Sequence, residues 1–455
     1  MLVLKNAQVV VGDGRTPVFS GSIAVEDGTI AAVTPGDLSG APADTVIDVR
    51  GHVVAPGGIN AHAHATAPGP RFASGTPGLS LPEVLGNLRL HLVQGHTTVV
   101  DLDGFKTPAE NSAVHLIQPV KVEKSTVHFD PMFAAADACD GTGLTEEHRR
   151  LTAKELADQG AVVIGEVGAG MTLGGGGQDY IYIPAAVANA TGVVVDPTQA
   201  EALKYAVLGR HIRPGNPDLE QVGVLIDSLG LQKLSVDDLV ALIEQSVLPS
   251  MASAREGVVR SASLARDLGI PTLVHNAAAS DDATREAARV AGGLFIGGHT
   301  NHDSYTADEA IANARWIRSH GGHVEIDTFS SWGRGDLRPN TPSHLIPLVQ
   351  EDLVDIIATD YGAGSWDSAW EMVAAIIQSG LASVEKAVAM ATGNVARAIP
   401  RIGQTRGLVR PGLAADLVVA SPRNLSDIEL VLINGEIAHT SPTGPFHLES
   451  ITTRA

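Results

Sequence analysis

The hydrophobic pattern changes character twice along the chain. Residues 2–11, 22–25, 29–33 and 45–54 are short apolar or alternating runs, punctuated by Gly12-Asp-Gly14, Asp27-Gly28 and Pro35-Gly36. Such runs predict strands joined by turns. A small sheet of this kind needs a partner face to bury its apolar side. The far end supplies one, because residues 407–420 and 428–434, followed by a turn at Gly435, again read as strands. The two ends are expected to form one composite β-sandwich domain from residues 1–56 and 400–445.

Between the ends, strand-like and helix-like periods alternate. Apolar runs centred near residues 60, 98, 126, 163, 273, 296, 325 and 356 predict strands, the third over residues 125–136. Residues 81–94, 258–268, 281–290, 307–320, 369–379 and 384–399 carry helical spacing. Eight strands alternating with helices predict an α/β fold, a (β/α)8 TIM-type barrel over residues 57–399. Two details stand out within it. Thr145-Glu-Glu-His148 has the composition of a helix start, but ends in His where a capping box has Glu or Gln. Gly174 to Gly177 lack the Gly-Lys-Ser/Thr of a phosphate loop and read as a flexible loop. Residues 178–256 fit the alternation poorly: Tyr180, Tyr182, Pro184, Pro197, Pro214 and Pro217 surround two helical stretches, 220–229 and 236–248. This segment reads as an insertion after the fourth barrel strand.

Composition narrows the field further. The 455 residues are 44% hydrophobic but only 4% aromatic, so the core must be mostly aliphatic. A formal net charge of −20, spread along the chain, argues against a nucleic-acid partner, which needs a basic stripe. One cysteine, Cys139, excludes a disulfide framework and a cysteine-rich metal site. The first residues carry one early Lys and an alternating pattern rather than a signal peptide's apolar region. No stretch approaches the roughly 20 apolar residues of a membrane helix. A cytoplasmic protein with no membrane partner is expected.

The candidate chemistry starts at Pro56-Gly-Gly-Ile-Asn-Ala-His-Ala-His-Ala65, where an apolar run ends in His62 and His64. On a strand, residues i and i+2 share a face, so both imidazoles can reach one ion. Active sites of such barrels lie at the C-terminal ends of the strands. The other polar residues there are Glu166 (strand 4), His275 (strand 5), His299 (strand 6) and Asp360 (strand 8). Each alone has a plain alternative: a packed histidine, an ion-pair partner, a helix cap. Together they form an imidazole and carboxylate set suited to Zn, Fe, Mn or Co. Six such residues exceed what one tetrahedral ion needs. Two divalent transition metal ions, zinc first among the choices, are therefore expected. His62, His64 and Asp360 would hold one ion and His275 and His299 the other, with Glu166 bridging.

That pattern resembles the amidohydrolase superfamily. The flanks are similar too: residues 54–62, Gly95-His-Thr-Thr-Val-Val-Asp101, Ala391-Thr-Gly-Asn-Val-Ala-Arg397 and residues 407–420. The resemblance covers essentially the whole chain except the insertion. Within the superfamily, Ile164-Gly-Glu-Val-Gly-Ala-Gly170 looks most like enamidase, a ring-opening hydrolase with Glu rather than a carboxylated Lys on strand 4; Lys154 lies upstream, on a helix. The chain departs from that pattern at residues 178–256.

The resemblance implies hydrolysis of a cyclic amide, imide or related C–N bond of a small molecule. A metal-bridging hydroxide would attack, and Asp360 would carry the proton to the leaving nitrogen. No Gly-x-Ser-x-Gly elbow offers a rival nucleophile. For substrate contacts the sequence offers His302 beyond strand 6, which would bind substrate or protonate the leaving group. It also offers Trp332, Arg334 and Arg338 in the strand 7–8 loop. Tyr180, Tyr182, His211 and Arg213 would line the pocket if the insertion folds over it; otherwise the insertion builds an interface of a homo-oligomer, a dimer or tetramer. The rival readings are a mononuclear deaminase, a hydrolase of acyclic amides, carbamates or ureas, and an inactive assembly protein.

Overall fold

Alternating apolar residues at both ends of the chain fold into one sheet in the computed structural model, which describes residues 1–36, 45–115, 117–328, 342–360, 368–446 and 452–453. Its join is the antiparallel pairing of Val53–Pro56 with Leu417–Ser421, which links strands from the two ends. Side-chain parity explains why both faces are buried. Val54, Leu417 and Val419 pack with Leu4, Ile23 and Leu430 on one side. Val53, Ala55, Val418 and Ala420 pack against the barrel's helices on the other. The run expected as one strand over 45–54 is two, Thr45–Asp48 and Val53–Pro56. Between them the chain turns at Gly51, whose φ of +80° suits glycine.

The expected barrel is present. Eight parallel strands follow chain order: Gly58–Ala63, His96–Asp101, Lys121–Thr126, Val163–Val167, Thr272–His275, Phe295–Gly298, His323–Asp327 and Ile356–Ala358. The first and eighth lie side by side, and the Asn60 side chain stitches the seam. Its Nδ2 donates to Thr359 Oγ1 at 2.7 Å and its Oδ1 accepts from the Thr359 amide at 3.2 Å. Ile59, Ala61, Val100, Leu102, Val163, Leu273, Ile296 and Ile356 fill the interior, and residues 395–402 plug its lower end.

Several local expectations change. Residues 125–136 are not one strand: the third strand ends at Thr126 and the helix Asp130–Cys139 follows, with Pro131 in its first turn. Proline's fixed φ favours that position. The pieces 236–248 and 258–268 are one 33-residue helix, Val236–Leu268, which runs through Pro249. The helix expected over 384–399 is broken into Val384–Met390 and Gly393–Ala398. The Thr145 start is capped after all, because His148 Nδ1 accepts from the Thr145 amide at 3.0 Å, as a Glu would. No helix among the described residues is long and apolar enough to cross a membrane.

Within residues 178–256, the helices Ile183–Thr191, Pro197–Leu208 and Leu219–Leu229 share a separate apolar cluster with the first half of Val236–Leu268. Arg210 ties this unit to the barrel. Its guanidinium donates to the Ser304 carbonyl at 2.6 Å and to Glu309 Oε2 at 2.7 Å.

Candidate metal centre

The first strand aims its histidines by a change of register. Ile59 and Ala61 face the barrel interior, so strict alternation would send Ala63 there as well. Instead the pairing slips between Asn60 and Ala63: Asn60 opposes Val99, but Ala63 opposes Asp101. The extra residue reverses the parity. Ala63 then packs outside, and His62 and His64 enter the mouth of the barrel. A second irregularity lies at Glu166, where Thr272 opposes Ile164 but Val274 opposes Val167. Just beyond two other strands, His299 and Asp360 have φ of 54° and 47°, in the left-handed region.

Glu166 sits between two pairs of imidazoles. Its Oε2 lies 3.6 Å from His62 Nε2 and 3.5 Å from His64 Nε2. Its Oε1 lies 2.9 Å from His275 Nδ1 and 3.1 Å from His299 Nε2. Asp360 Oδ1 is 3.2 Å from His64 Nε2 and 3.6 Å from His62 Nε2. The six residues read from the sequence as candidate ligands therefore converge in one place.

Behind them stands a second set that sequence reasoning missed. Glu325 holds His62 Nδ1 at 2.8 Å, Asp103 holds His64 Nδ1 at 2.9 Å, and Asp327 contacts His299 Nδ1. Buried Lys106 in turn bridges Asp103 Oδ2 at 2.6 Å and Asp101 Oδ2 at 3.2 Å. Such partners fix which ring nitrogen is free to bind an ion. The available signal was carboxylates spaced by two in otherwise apolar strand ends: Asp101 and Asp103, then Glu325 and Asp327.

The charges follow from this packing. Burial opposes a proton on His62, yet the Glu325 and Glu166 carboxylates outweigh it and hold the imidazole well above its usual range. His64, despite burial, is raised by Asp103, Asp360 and Glu166, and His299 by Asp327 and Glu166. Burial would raise the Glu166 carboxyl, but His62 and its other imidazole neighbours hold it well below the carboxylate range. His275 is shifted down, chiefly by burial.

The residues fit metal ions on two grounds. Their carboxylates demand buried positive charge, which protons on imidazoles supply when no ion is bound. His62 Nε2 is also buried without a hydrogen-bond partner among the described residues, although its Nδ1 is anchored. The compatible groups are His62, His64 and Glu166, then Glu166, His275 and His299; His62, His299 and Asp327 also lie close together.

The pocket above this cluster is walled by glycine backbone and by the 178–256 segment. Gly170, Gly174, Gly175 and Gly176 line it with Tyr180, Glu201 and Tyr205. The glycine run is thus a packed wall rather than a detached loop. A Cβ at Gly175 would lie 2.8 Å from Gly170 Cα, 3.1 Å from His275 Nε2 and 3.3 Å from His302 Nε2, so the close backbone approach at Gly170 calls for glycine beside both rings. His302 lines the pocket, and burial pushes its imidazole down to about 3. A group so hard to protonate is a poor proton donor near neutral pH. Of the insertion residues singled out, Tyr180 reaches the pocket, whereas Tyr182 packs on Met171 Sδ. His211 and Arg213 face the Ala278 carbonyl and Asp282 instead. Trp332, Arg334 and Arg338 lie outside the described residues.

Comparison with known proteins agrees with this architecture. The chain is 45% identical over 65 residues to 5-methylthioadenosine/S-adenosylhomocysteine deaminase of Pyrococcus furiosus, a match spanning 14% of this chain and 15% of that enzyme's length. As a whole structure it resembles the β-aspartyl dipeptidase of Fervidobacterium islandicum AW-1, with TM-score 0.55 and 14% identity over 98% of each chain. It likewise resembles 5-methylcytosine deaminase of Klebsiella pneumoniae, with TM-score 0.55 and 13% identity over 98% of this chain and 99% of that one. At such identities these likenesses show a shared fold. The profile of the amidohydrolase family matches residues 187–442, more than half of the chain. The chain belongs to the amidohydrolase family.

Proposed function

We propose that the protein is a metal-dependent hydrolase of C–N bonds that opens a cyclic amide or imide of a small molecule, in the manner of enamidase, with two divalent ions at its centre. The observation that carries the two-ion reading is Glu166, whose two oxygens face one imidazole pair each. His62, His64 and Asp360 would hold one ion and His275 and His299 the other, with Glu166 shared. Bound there, divalent cations supply Lewis acidity, lowering the pKa of water and polarising a carbonyl.

The chain's own residues do the rest. Asp360 keeps its carboxylate ionised: burial raises it, but His64, His299 and His62 together pull it below its usual range. With 18% of its side chain exposed, it is also the candidate ligand most open to the pocket. It would take the proton of the attacking water and deliver it to the departing nitrogen. Glu325, Asp103 and Asp327 keep the imidazoles in one orientation throughout. The glycine wall and the segment carrying Tyr180 and Tyr205 would limit the access of bulk water to the reacting face that they line.

The match to the P. furiosus deaminase favours a second reading, deamination at a single ion. Elemental analysis of protein purified without added metal, counted per chain, separates the two. About two ions, with turnover in a panel of lactams, cyclic imides and cyclic ureas, supports the first. About one ion, with ammonia released from aminopurine or aminopyrimidine substrates, supports the second. No ion after reconstitution defeats both.

A further inference from the structure

His302 is three residues beyond the candidate ligand His299, and its ring packs against His275 and His299 with centroids 5.2 and 6.2 Å away. Its Nδ1 is committed. The backbone amide of Ser304 donates to it at 3.1 Å. The Ser304 hydroxyl lies 2.9 Å from the same nitrogen and itself accepts from the Ala278 amide at 3.0 Å. An amide N–H cannot accept, so Nδ1 must present its lone pair, and a neutral ring then carries its proton on Nε2. The Asp303 carboxylate, with Oδ1 at 3.1 Å from Nδ1, would draw the proton the other way. A fixed amide proton already occupies that lone pair, so the amide decides.

The Nε2 edge faces the pocket beside Gly175. Among the described residues no acceptor meets Nε2, whereas every polar contact of the ring is on Nδ1. A neutral donor held in one tautomer recognises an oxygen acceptor.

We propose that His302 is a substrate-binding residue whose Nε2–H donates to a carbonyl oxygen other than the one being hydrolysed. This rests on the cyclic-amide reading above and narrows it: the preferred ring has a second carbonyl, as in a cyclic imide or cyclic urea derivative, rather than the single carbonyl of a lactam. A donor left without its acceptor is penalised, which is how one such group discriminates between otherwise similar rings.

The test pairs two measurements. In the first, kcat/KM is compared for succinimide and glutarimide against 2-pyrrolidinone and 2-piperidone, in the zinc-loaded wild type, His302→Phe and His302→Gln. His302→Phe should lower imide hydrolysis by roughly 10- to 100-fold and lactam hydrolysis far less, mainly through KM, and His302→Gln, which keeps an N–H donor, should restore most of the loss. Equal losses on both ring classes would overturn the assignment. Turnover of neither class would defeat the cyclic-amide reading and the second-carbonyl preference with it. In the second, long-range 1H–15N spectra of the imidazoles read the tautomer without any substrate. An Nε2–H ring is expected. An Nδ1–H ring would overturn the donor role whatever the activity shows.

Discussion

Buried histidines stand at both ends of the barrel, and their surroundings shift two pairs of them in opposite directions. At the mouth, His62 and His299 are buried among carboxylates and held well above the usual imidazole range. At the foot, His91 and His96 are equally buried, with Nδ1 atoms 3.5 Å apart. Burial pushes His91 well down, helped by its neighbour, and pushes His96 down to about 4. The lesson is that burial does not make a histidine a ligand. What separates the two pairs is the row of acids behind the mouth, Glu325, Asp103 and Asp327, which orient each ring and call for a cation in front of it.

That contrast can be broken or sharpened in several ways. The largest effect is expected from Asp360→Asn, which removes the proton carrier but not the packing. Turnover should fall by about 10²- to 10⁴-fold with an unchanged circular dichroism spectrum, and full activity would dismiss the role. Next, Glu166→Gln should leave one ion or fewer per chain by elemental analysis; two retained ions would mean that Glu166 does not bridge. Glu325→Gln leaves every proposed ligand in place, yet should weaken metal binding by roughly 10- to 100-fold in a chelator competition. Affinity equal to wild type would mean that the acid behind His62 is dispensable.

The effect of pH should have opposite signs at the two ends. His62, His64 and His299 have raised folded values, so in metal-free protein their stabilisation is complete below the ordinary 6.5 and is lost as pH rises through the raised values. Metal competes with the same protons and binds more tightly as pH rises. The gap in melting temperature between loaded and metal-free protein should therefore widen from about pH 6 to pH 9. His96, with its lowered value, costs stability as pH falls from 6.5 to about 4. The smallest change is expected from His96→Phe: metal content and turnover stay at wild-type levels, and calorimetry shows a shallower loss of stability in acid. A drop in metal content there would erase the distinction between the two ends.

Much of this is legible in the sequence. The strand ends at His62, Glu166, His275, His299 and Asp360 could be read because apolar runs of strand length stop at residues of one chemical kind, in barrel order. The strand misplaced over 125–136 shows where that reading fails: Lys121–Thr126 is polar by sequence, and only its place between two neighbours makes it a strand. The spacing of Glu325 and Asp327 by two puts both on one face of their strand, but it does not say which imidazoles stand opposite.

The sequence by itself determined the periodicities, and so the barrel, the composite sheet and the set of candidate ligands, because burial of alternating apolar positions is a local property of the chain. Only the tertiary structure decided which way the ligands point. The slip between Asn60 and Ala63 depends on the neighbouring strand, and the anchoring of His62 by Glu325 joins residues 263 positions apart. The tautomer of His302 hangs on an amide that the loop after strand 6 happens to turn toward it. Direction and protonation are set by contacts between distant segments, which no local pattern encodes.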